Sequence, residues 1–368
     1  MQAIKPLLDD IRDNRLLWLL AIVPVLFAAK ALKPDGHALL FVLSVLGIVP
    51  LAALLSHATE SVAAKTGDAI GGLLNATLGN LTELIIALTA LHAGQYVLVK
   101  ASIAGAIVTN TLFMLGASFL LGGLRHHVQD YNRNSARLQA GLLFVATVGL
   151  LVPSMLTETD TPAATAEFSQ TLSLGLSVLL IASYGLSLLF SLRTHREVFG
   201  GTDRAESHEA GLPIGLALAT LACVTVLVAL VSEVFVESVQ HAAEAFGITP
   251  AFVGFILVAL VGGAAEMTSA FSAARKNRLD MSVGIALGSA SQIALFVAPV
   301  LVLLSYVIGP APMNLQFWPG AIVMMLIATM TASLVTNSGR SAWFVGVLVL
   351  NVYLIFAMTL YLLPPQVN

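Results

Sequence analysis

Residues 69–91 read AIGGLLNATLGNLTELIIALTAL, a run long and apolar enough to cross a lipid bilayer, and Glu83 stands in its middle. A second run, residues 251–274, reads AFVGFILVALVGGAAEMTSAFSAA and carries Glu266. A charged side chain at the centre of a bilayer costs roughly 2.5–3.5 kcal/mol on insertion scales, so such residues are rare and usually face an interior pathway. Two glutamates at matching positions in the two halves of one chain therefore predict an ion site.

The composition indicates an all-α polytopic membrane protein. Of the 368 residues, 58% are hydrophobic and 10% are charged, and the mean hydropathy is +0.92. A soluble domain of this length could not bury so much apolar surface. The net charge of −3 gives no support for a nucleic-acid partner, and the single cysteine, Cys223, excludes both a disulfide framework and a cysteine metal cluster. The N-terminal MQAIKPLLDDIRDNR has no cleavage site, so we expect the first span to be retained.

Apolar runs between polar or Gly/Pro breaks predict eleven transmembrane helices. These lie near residues 16–33, 37–64, 69–92, 96–123, 136–155, 168–192, 211–240, 250–274, 280–307, 316–336 and 341–363.

The basic residues predict the orientation of these helices. With the N-terminus inside, all but three of the 17 lysines and arginines fall on the inner side, and only Lys30, Lys33 and Lys100 fall outside. Loops on the cytoplasmic side carry an excess of basic residues, so we expect a cytoplasmic N-terminus and an outer C-terminus. The short loops favour a plasma (inner) membrane.

The predicted spans divide into one helix followed by two sets of five. Because five is odd, the second set enters the membrane from the opposite side, which makes an inverted repeat if the halves are alike. They are alike at the key run, where Gly71, Gly79, Glu83 and Ala87 match Gly254, Gly262, Glu266 and Ala270 at a constant offset of 183 residues. The predicted boundaries are 1–36 for the N-terminal tail and extra helix, 37–193 for the first repeat, 194–210 for a charged cytoplasmic linker and 211–368 for the second, inverted repeat.

The residues around the glutamates predict an all-oxygen cation site. Glycine beside a polar residue in mid-membrane weakens a helix and frees backbone carbonyls, which is tolerated only where the backbone lines a cavity or is buried in protein. Calcium takes roughly 6–8 oxygen ligands, with carboxylates supplying the charge. The candidate ligands are Glu83, Glu266, Asn80, Asn110, Ser289 and Gln292. Glu60 and Glu237, near opposite ends of their spans, are candidates for gating or proton access.

Two carboxylates in one dry site cannot both stay ionised without a cation, so the site should hold either a divalent cation or protons. This mutual exclusion favours a secondary antiporter that exchanges cytosolic Ca²⁺, or other cations, for H⁺ by alternating access. A sodium-coupled exchanger and a cation channel remain alternatives. The sequence has no H-E-x-x-H motif and no nucleophile–base arrangement, so we expect neither an enzyme nor a cofactor other than the transported ions.

Two stretches resemble a known family. GGLLNATLGNLTELI and VGGAAEM…GIALGSASQIALF are similar to the two repeat signatures of the calcium/proton exchangers of the cation/Ca²⁺ exchanger superfamily. The resemblance implies two inverted five-helix repeats after an extra helix, export of cytosolic Ca²⁺ against protons, and ion binding by Glu83 and Glu266. The second signature departs from the family pattern, because Gly263 and Met267 stand where the family usually has Asn and His. These changes remove one candidate oxygen ligand and one titratable group.

Overall fold

The computed structural model describes residues 5–155, 162–195 and 212–363, which are almost entirely helical. Most of the predicted linker 194–210 lies outside the described residues. We number the helices α1 Lys5–Asp13, α2 Arg15–Leu32, α3 His37–Lys65, α4 Asp68–Leu78, α5 Leu81–His92, α6 Tyr96–His126, α7 Arg133–Met155, α8 Pro162–Leu189, α9 Ile214–Phe246, α10 Pro250–Gly262, α11 Ala264–Arg275, α12 Leu279–Ser305, α13 Pro319–Thr336 and α14 Trp343–Leu362. Two short strands, β1 Val128–Asp130 and β2 Arg340–Ala342, pair antiparallel.

Among the described residues, nine helices are long and apolar enough to cross a membrane, and up to eleven if each of two bent pairs is one span. The bent pairs are α4 with α5, at 41°, and α10 with α11, at 57°. Every predicted span overlaps one of these helices or bent pairs. The prediction of a mostly helical, polytopic membrane protein is therefore confirmed, and the predicted count of eleven lies at the upper end of this range.

The long helices α3 and α9 pack against each other along much of their length. Phe41 stacks on Phe235 with ring centroids 5.4 Å apart, and Val231 approaches Gly47. Pro50 lies within α3. These two helices open the predicted first and second repeats, and between them they position both bent pairs.

Loops predicted on one side of the membrane meet in the structure. The pairing of β1 with β2 is accompanied by an ion pair between Asp130 and Arg340, 2.8 Å apart, and both lie on the predicted inner side. At the other end, the Tyr96 hydroxyl donates to the carbonyl oxygen of Ala311 at 2.6 Å. The molecule therefore has two distinct ends that correspond to the predicted inner and outer faces.

Candidate functional site

The first bent pair breaks at Gly79 and Asn80, between α4 and α5. Glycine is required here because a Cβ at Gly79 would lie 2.7 Å from the carbonyl oxygen of Asn75 and 3.4 Å from Gln292 Oε1. Asn80 immediately precedes α5, and Glu83 lies in the first turn of that helix. The Glu83 carboxylate also accepts a hydrogen bond from its own backbone N–H.

The second bent pair breaks at Gly262 and Gly263, between α10 and α11. Gly263 precedes α11, and Glu266 lies in the first turn, as Glu83 does in α5. The amide groups at a helix N-terminus carry partial positive charge, which stabilises a carboxylate in the first turn. Both breaks thus place a glutamate where backbone dipoles favour negative charge.

The two glutamates come from opposite breaks and meet. A Cβ at Gly262 would lie 2.9 Å from Glu83 Cγ, so Glu83 packs directly against the break of the other pair. The charge on Glu83 acts on the Glu266 carboxylate, and Ser289 is within hydrogen-bonding reach of Glu266. Both glutamate residues are half-buried. The charges of the two glutamates therefore interact, and the two residues belong to one candidate site.

A hydrogen-bond chain joins the other predicted ligands. Asn110 Nδ2 donates to Ser289 Oγ at 2.8 Å, and Ser289 Oγ donates to Asn80 Oδ1 at 2.8 Å. Gln292 completes the group through its approach to Gly79. The structure therefore brings together all six residues that the sequence singled out as ligands, from α5, α6, α11, α12 and the first break.

Three polar atoms at this site are buried without a hydrogen-bond partner among the described residues: Asn80 Nδ2, Glu266 Oε2 and Gln292 Nε2. Leaving such atoms unsatisfied costs about 1–3 kcal/mol each, so native proteins rarely tolerate them away from functional sites. The two ends of a side-chain amide exchange places when the amide turns over. Asn80 and Gln292 can therefore direct oxygen atoms, together with Glu266, towards a cation.

The donor set has two carboxylates. Within the described ranges, no group of three or more His, Cys, Asp or Glu side chains could hold a metal. The remaining donors are amides and a hydroxyl, which supply oxygen without charge. Such a set suits a hard cation, and its formal charge of −2 can be neutralised by one divalent ion or by two protons.

Irregular helical turns shape the site. Asn110 lies in a π-helical turn, Thr109–Met114, within α6, and Gln292 immediately precedes another, Ile293–Val297, within α12. A third π-helical turn, Val253–Val258, lies in α10. Single π-helical turns inside α-helices are frequent at functional sites because they redirect side chains. Hydrophobic periodicity carries no signal for these turns, and the sequence analysis missed them.

A cavity of about 460 Å³ leads to the site from the predicted inner face. Glu266, Ser289, Gln292 and Gly79 line its inner part, and the exposed Glu60 lies with Asp280 towards its mouth. Its walls also include Ser56, Asn75, Gln139, Tyr184, Ser187 and Ser269.

Asn75 and Gln139 are two of several polar wall residues that the sequence analysis missed. Asn75 lies one helical turn before Gly79, within the same apolar run as Glu83. A polar residue at that place could have been predicted from the sequence to face the same interior path. Gln139 had no such signal, yet its Oε1 is buried with no partner in the part of the chain that the structure describes. Both add side-chain oxygen atoms along the path to the glutamates.

The opposite face of the site is closed by helix contact. A Cβ at Gly105 of α6 would overlap the backbone of Phe255 in α10, and a Cβ at Gly254 would lie 2.7 Å from Ala101 Cβ. By contrast, a Cβ at Gly284 of α12 would have no neighbour within 4 Å. Gly284 corresponds to Gly105 when Ser289 is aligned with Asn110, because each glycine lies five residues before the polar residue. Among the described residues, the site is therefore reached through the cavity on the Glu60 side, and close helix packing blocks it at Gly105 and Gly254.

The two candidate gating residues occupy different surroundings. Glu60 lines the cavity and accepts a hydrogen bond from Ser56 Oγ at 3.2 Å. Glu237 lies at the other end of the molecule, where it forms an ion pair with Lys30 at 2.8 Å. The structure thus places Glu60, but not Glu237, on the path to the site.

Comparison with known proteins gives a consistent result. The profile of the sodium/calcium exchanger protein family matches residues 36–193 and 216–362. A Ca²⁺/H⁺ antiporter of Aphanothece halophytica is 38% identical over 360 residues, covering 94% of this chain and 96% of that protein. The Ca²⁺/H⁺ antiporter ChaA of Bacillus subtilis is 39% identical, covering 95% and 100%. The solved structure of native YfkE superposes with a TM-score of 0.81 at 36% identity, covering 95% of this chain and 100% of that one.

Proposed function

The chain belongs to the sodium/calcium exchanger protein family, and from this premise we propose that it exchanges Ca²⁺ for H⁺ at the site formed by Glu83 and Glu266. The relatives named as Ca²⁺/H⁺ antiporters align over nearly their whole length, so the similarity includes both bent pairs. The observation that carries the site is the convergence of two glutamates from opposed helix breaks, of which Glu266 lines the inner part of the cavity and Glu83 packs behind it against Gly262. The protein is a secondary transporter and not an enzyme.

Ion coupling follows from the chemistry of the glutamate pair. Two neighbouring carboxylates repel when both are ionised, and the surrounding protein screens this repulsion poorly. A Ca²⁺ ion removes the repulsion by coordination, with Asn80, Asn110, Ser289 and Gln292 supplying further oxygen atoms. Protons remove it by neutralising the carboxylates. Because each substrate occupies the same oxygen atoms, binding of one requires release of the other.

Transport needs the site to face each side in turn. We assign eleven spans, with residues 37–193 and 211–368 as inverted five-helix repeats, and the described structure as the state open on the Glu60 face. Rocking of one repeat against the other would separate α6 from α10 at Gly105 and Gly254, which opens the outer face, and would close the Glu60 face. The corresponding contact in the second state would form at Gly284, which is open in this structure.

The cavity favours this mechanism over a channel, since a channel needs a path open at both ends when it conducts. For a sodium-coupled exchanger, additional acidic ligands for Na⁺ would be expected, and the described site supplies two carboxylates in total. Proton coupling is therefore the assignment that the donor set supports best.

We place the protein in the plasma membrane with a cytoplasmic N-terminus and an outer C-terminus, so that the cavity opens to the cytosol. Glu60 then attracts cations to the mouth, and Glu237 serves the corresponding role on the outer face once its ion pair with Lys30 opens.

The test is transport by the purified protein in liposomes with an acidic interior. We expect ⁴⁵Ca²⁺ uptake that collapses when the pH gradient is dissipated and that is abolished by Glu83→Gln and by Glu266→Gln. Glu244→Gln, at an exposed position of α9, is the matched control and should transport normally. Uptake retained by Glu83→Gln, or uptake driven by a Na⁺ gradient alone, would contradict the proposal.

A further inference from the structure

A second cavity, of about 410 Å³, lies between the inner ends of α6 and α11. It is lined by Arg125, Thr268, Phe271, Ser272, Arg275 and Lys276. The α11 residues in this set are three or four positions apart and lie on one face of the helix. Glu266 and Ser269 instead line the first cavity. Helix α11 therefore separates the ion site from a second concave surface that the proposed function does not use.

The charge of this second cavity is entirely positive. Its lining has three cationic side chains and no carboxylate. Across the described ranges, the side chains of Arg125, Arg275 and Lys276 have neither an ion pair nor a hydrogen bond. The side chains of Thr268 and Ser272 add hydroxyl groups beside them. The Thr268 hydroxyl donates to the carbonyl oxygen of Ala264 at 2.8 Å, so Ser272 supplies the available hydroxyl donor. Three like charges and one hydroxyl donor around one space are complementary to an anion.

Stabilisation of the end of α11 does not account for these cations. A basic residue in the last turn of a helix commonly interacts with the final carbonyl groups. Here those groups have other partners, because Gln129 Nε2 donates to the Ala274 oxygen at 2.9 Å and His126 Nε2 contacts the Arg275 oxygen at 3.0 Å. The guanidinium groups of Arg125 and Arg275 are thus left for another partner.

The surroundings place this cavity at the level of the lipid headgroups. Leu124, next to Arg125, is 62% exposed, and the aromatic residues Trp343 and Phe344 at the start of α14 are 44% and 54% exposed. Gly123 packs directly against the backbone of Trp343, so α14 begins at the height of the cavity. Exposed aromatic residues at helix ends mark the membrane–water boundary. An anion held here lies beside lipid chains.

We propose that this cavity binds the headgroup of an anionic phospholipid. Arg125 and Arg275 hold the phosphate, since the planar guanidinium group matches two phosphate oxygen atoms at once. Thr268, Ser272 and Lys276 surround the same group, and the Phe271 ring, fixed edge-on against Phe113, contacts the first acyl carbons. Basic pockets between transmembrane helices on the cytoplasmic side bind acidic headgroups in this way. The bound lipid holds the last turn of the helix whose first turn carries Glu266.

The experiment is native mass spectrometry of the full-length protein in detergent, titrated with phosphatidylglycerol or phosphatidylcholine. We expect one retained phosphatidylglycerol and a clear preference over phosphatidylcholine. The combined variant R125Q/R275Q/K276Q should bind phosphatidylglycerol roughly 100-fold more weakly, because each basic residue near an anionic surface strengthens attraction about fivefold. The control R12Q/R15Q/K65Q removes three exposed charges from the same predicted face and should bind as the unmodified protein does.

Three results would contradict the proposal. Equal loss of lipid in both triple variants would mean that the cavity has no special role. Displacement of phosphatidylglycerol by an equal concentration of inorganic phosphate would mean that the ligand is a free anion. If R125Q/R275Q/K276Q unfolds early in a thermal scan, the variant R125K/R275K is measured in its place. It keeps both positive charges but replaces the planar guanidinium groups by ammonium groups. This variant should bind phosphatidylglycerol more weakly than the unmodified protein, but with a smaller loss than the roughly 100-fold expected for R125Q/R275Q/K276Q. Unchanged binding would contradict phosphate recognition by the arginines.

Discussion

Glu83 packs against Gly262, the glycine at which the opposite helix pair breaks, and a Cβ there would lie 2.9 Å from Glu83 Cγ. Each break therefore does more than free backbone groups: the break of α10 and α11 also makes room for the carboxylate that comes from α5. This contact joins the two halves of the chain at the proposed ion site.

Gly262→Ala should impair transport without unfolding the protein. The added methyl group would displace Glu83 from its position, and overpacking of this kind costs about 1–3 kcal/mol. Because about 1.4 kcal/mol corresponds to a factor of ten, we expect Ca²⁺ uptake to fall by roughly tenfold in the liposome assay. Gly175→Ala, at a position where a Cβ would have no neighbour within 4 Å, should leave uptake unchanged. Equal effects of the two substitutions would argue against a close contact at Gly262.

Ser289→Ala should weaken Ca²⁺ binding more than it weakens the fold. The substitution removes the acceptor of Asn110 Nδ2 and the donor to Asn80 Oδ1. Each of these two buried amides then lacks a hydrogen-bond partner and is no longer held in one orientation. A buried polar group left without a partner costs about 1–3 kcal/mol. The concentration of Ca²⁺ that gives half-maximal uptake should therefore rise by about tenfold or more. Ser183→Ala, whose hydroxyl bonds to its own helix on an exposed face, is the control. Unchanged affinity would show that the hydrogen bonds of Ser289 do not orient the Asn80 and Asn110 amides.

The sequence predicted the helix breaks and the site residues because both rest on local rules. A glutamate within an apolar run needs an interior environment, and a glycine beside it weakens the helix at that point. These rules led to Glu83 and Glu266 and, through the spans that follow them, to Asn110, Ser289 and Gln292. The structure brings these side chains together, as the pattern indicated.

Features that depend on tertiary contact could not be predicted in the same way. The pairing of Glu237 with Lys30 joins residues more than 200 positions apart, and no local pattern distinguishes it from the surroundings of Glu60. The basic cavity likewise combines Arg125 with Arg275 from different helices. The π-helical turns arise where a helix slips by one hydrogen bond, and residue type alone does not determine where this happens.

Accessibility should differ between the two faces. In a Cys223→Ser background, a membrane-impermeant thiol reagent should label Ser187→Cys, on the cavity wall, only from the cytosolic side. Val307→Cys, at an 84% exposed position of the outer end, should be labelled only from outside. Labelling can be followed by the mass shift of protein from right-side-out and inverted vesicles. The reverse pattern would invert the proposed orientation, and labelling of Ser187→Cys from both sides in one state would favour a channel.

Glu60→Gln should slow the capture of Ca²⁺ from the cavity side. A negative charge at a mouth raises the local cation concentration and the association rate, and this effect is strongest at low ionic strength. We expect the rate at low Ca²⁺ to fall by roughly two- to tenfold in low salt and by less at higher salt. Asp13→Asn, at an exposed position near the same face, should change the rate at neither salt concentration. A salt-independent loss would mean that Glu60 acts on the proton step or on the fold.

Gly263→Asn should strengthen Ca²⁺ binding. Gly263 has ordinary backbone angles, with φ at −78° and ψ at 6°, so glycine is not required by the backbone conformation. A Cβ there would lie 3.2 Å from the carbonyl oxygen of Ala259 and 3.3 Å from the flexible end of Met267, so both must shift by a few tenths of an ångström. It would also lie 3.7 Å from Asn110 Oδ1, which places a new amide beside the existing ligands. One additional oxygen atom at a charged site contributes about 1.5–3 kcal/mol. The half-saturating Ca²⁺ concentration should therefore fall by about tenfold. Gly263→Ala adds the same Cβ without the amide, and an equal gain in affinity from alanine would mean that helix rigidity, and not a new ligand, sets ion binding at this break.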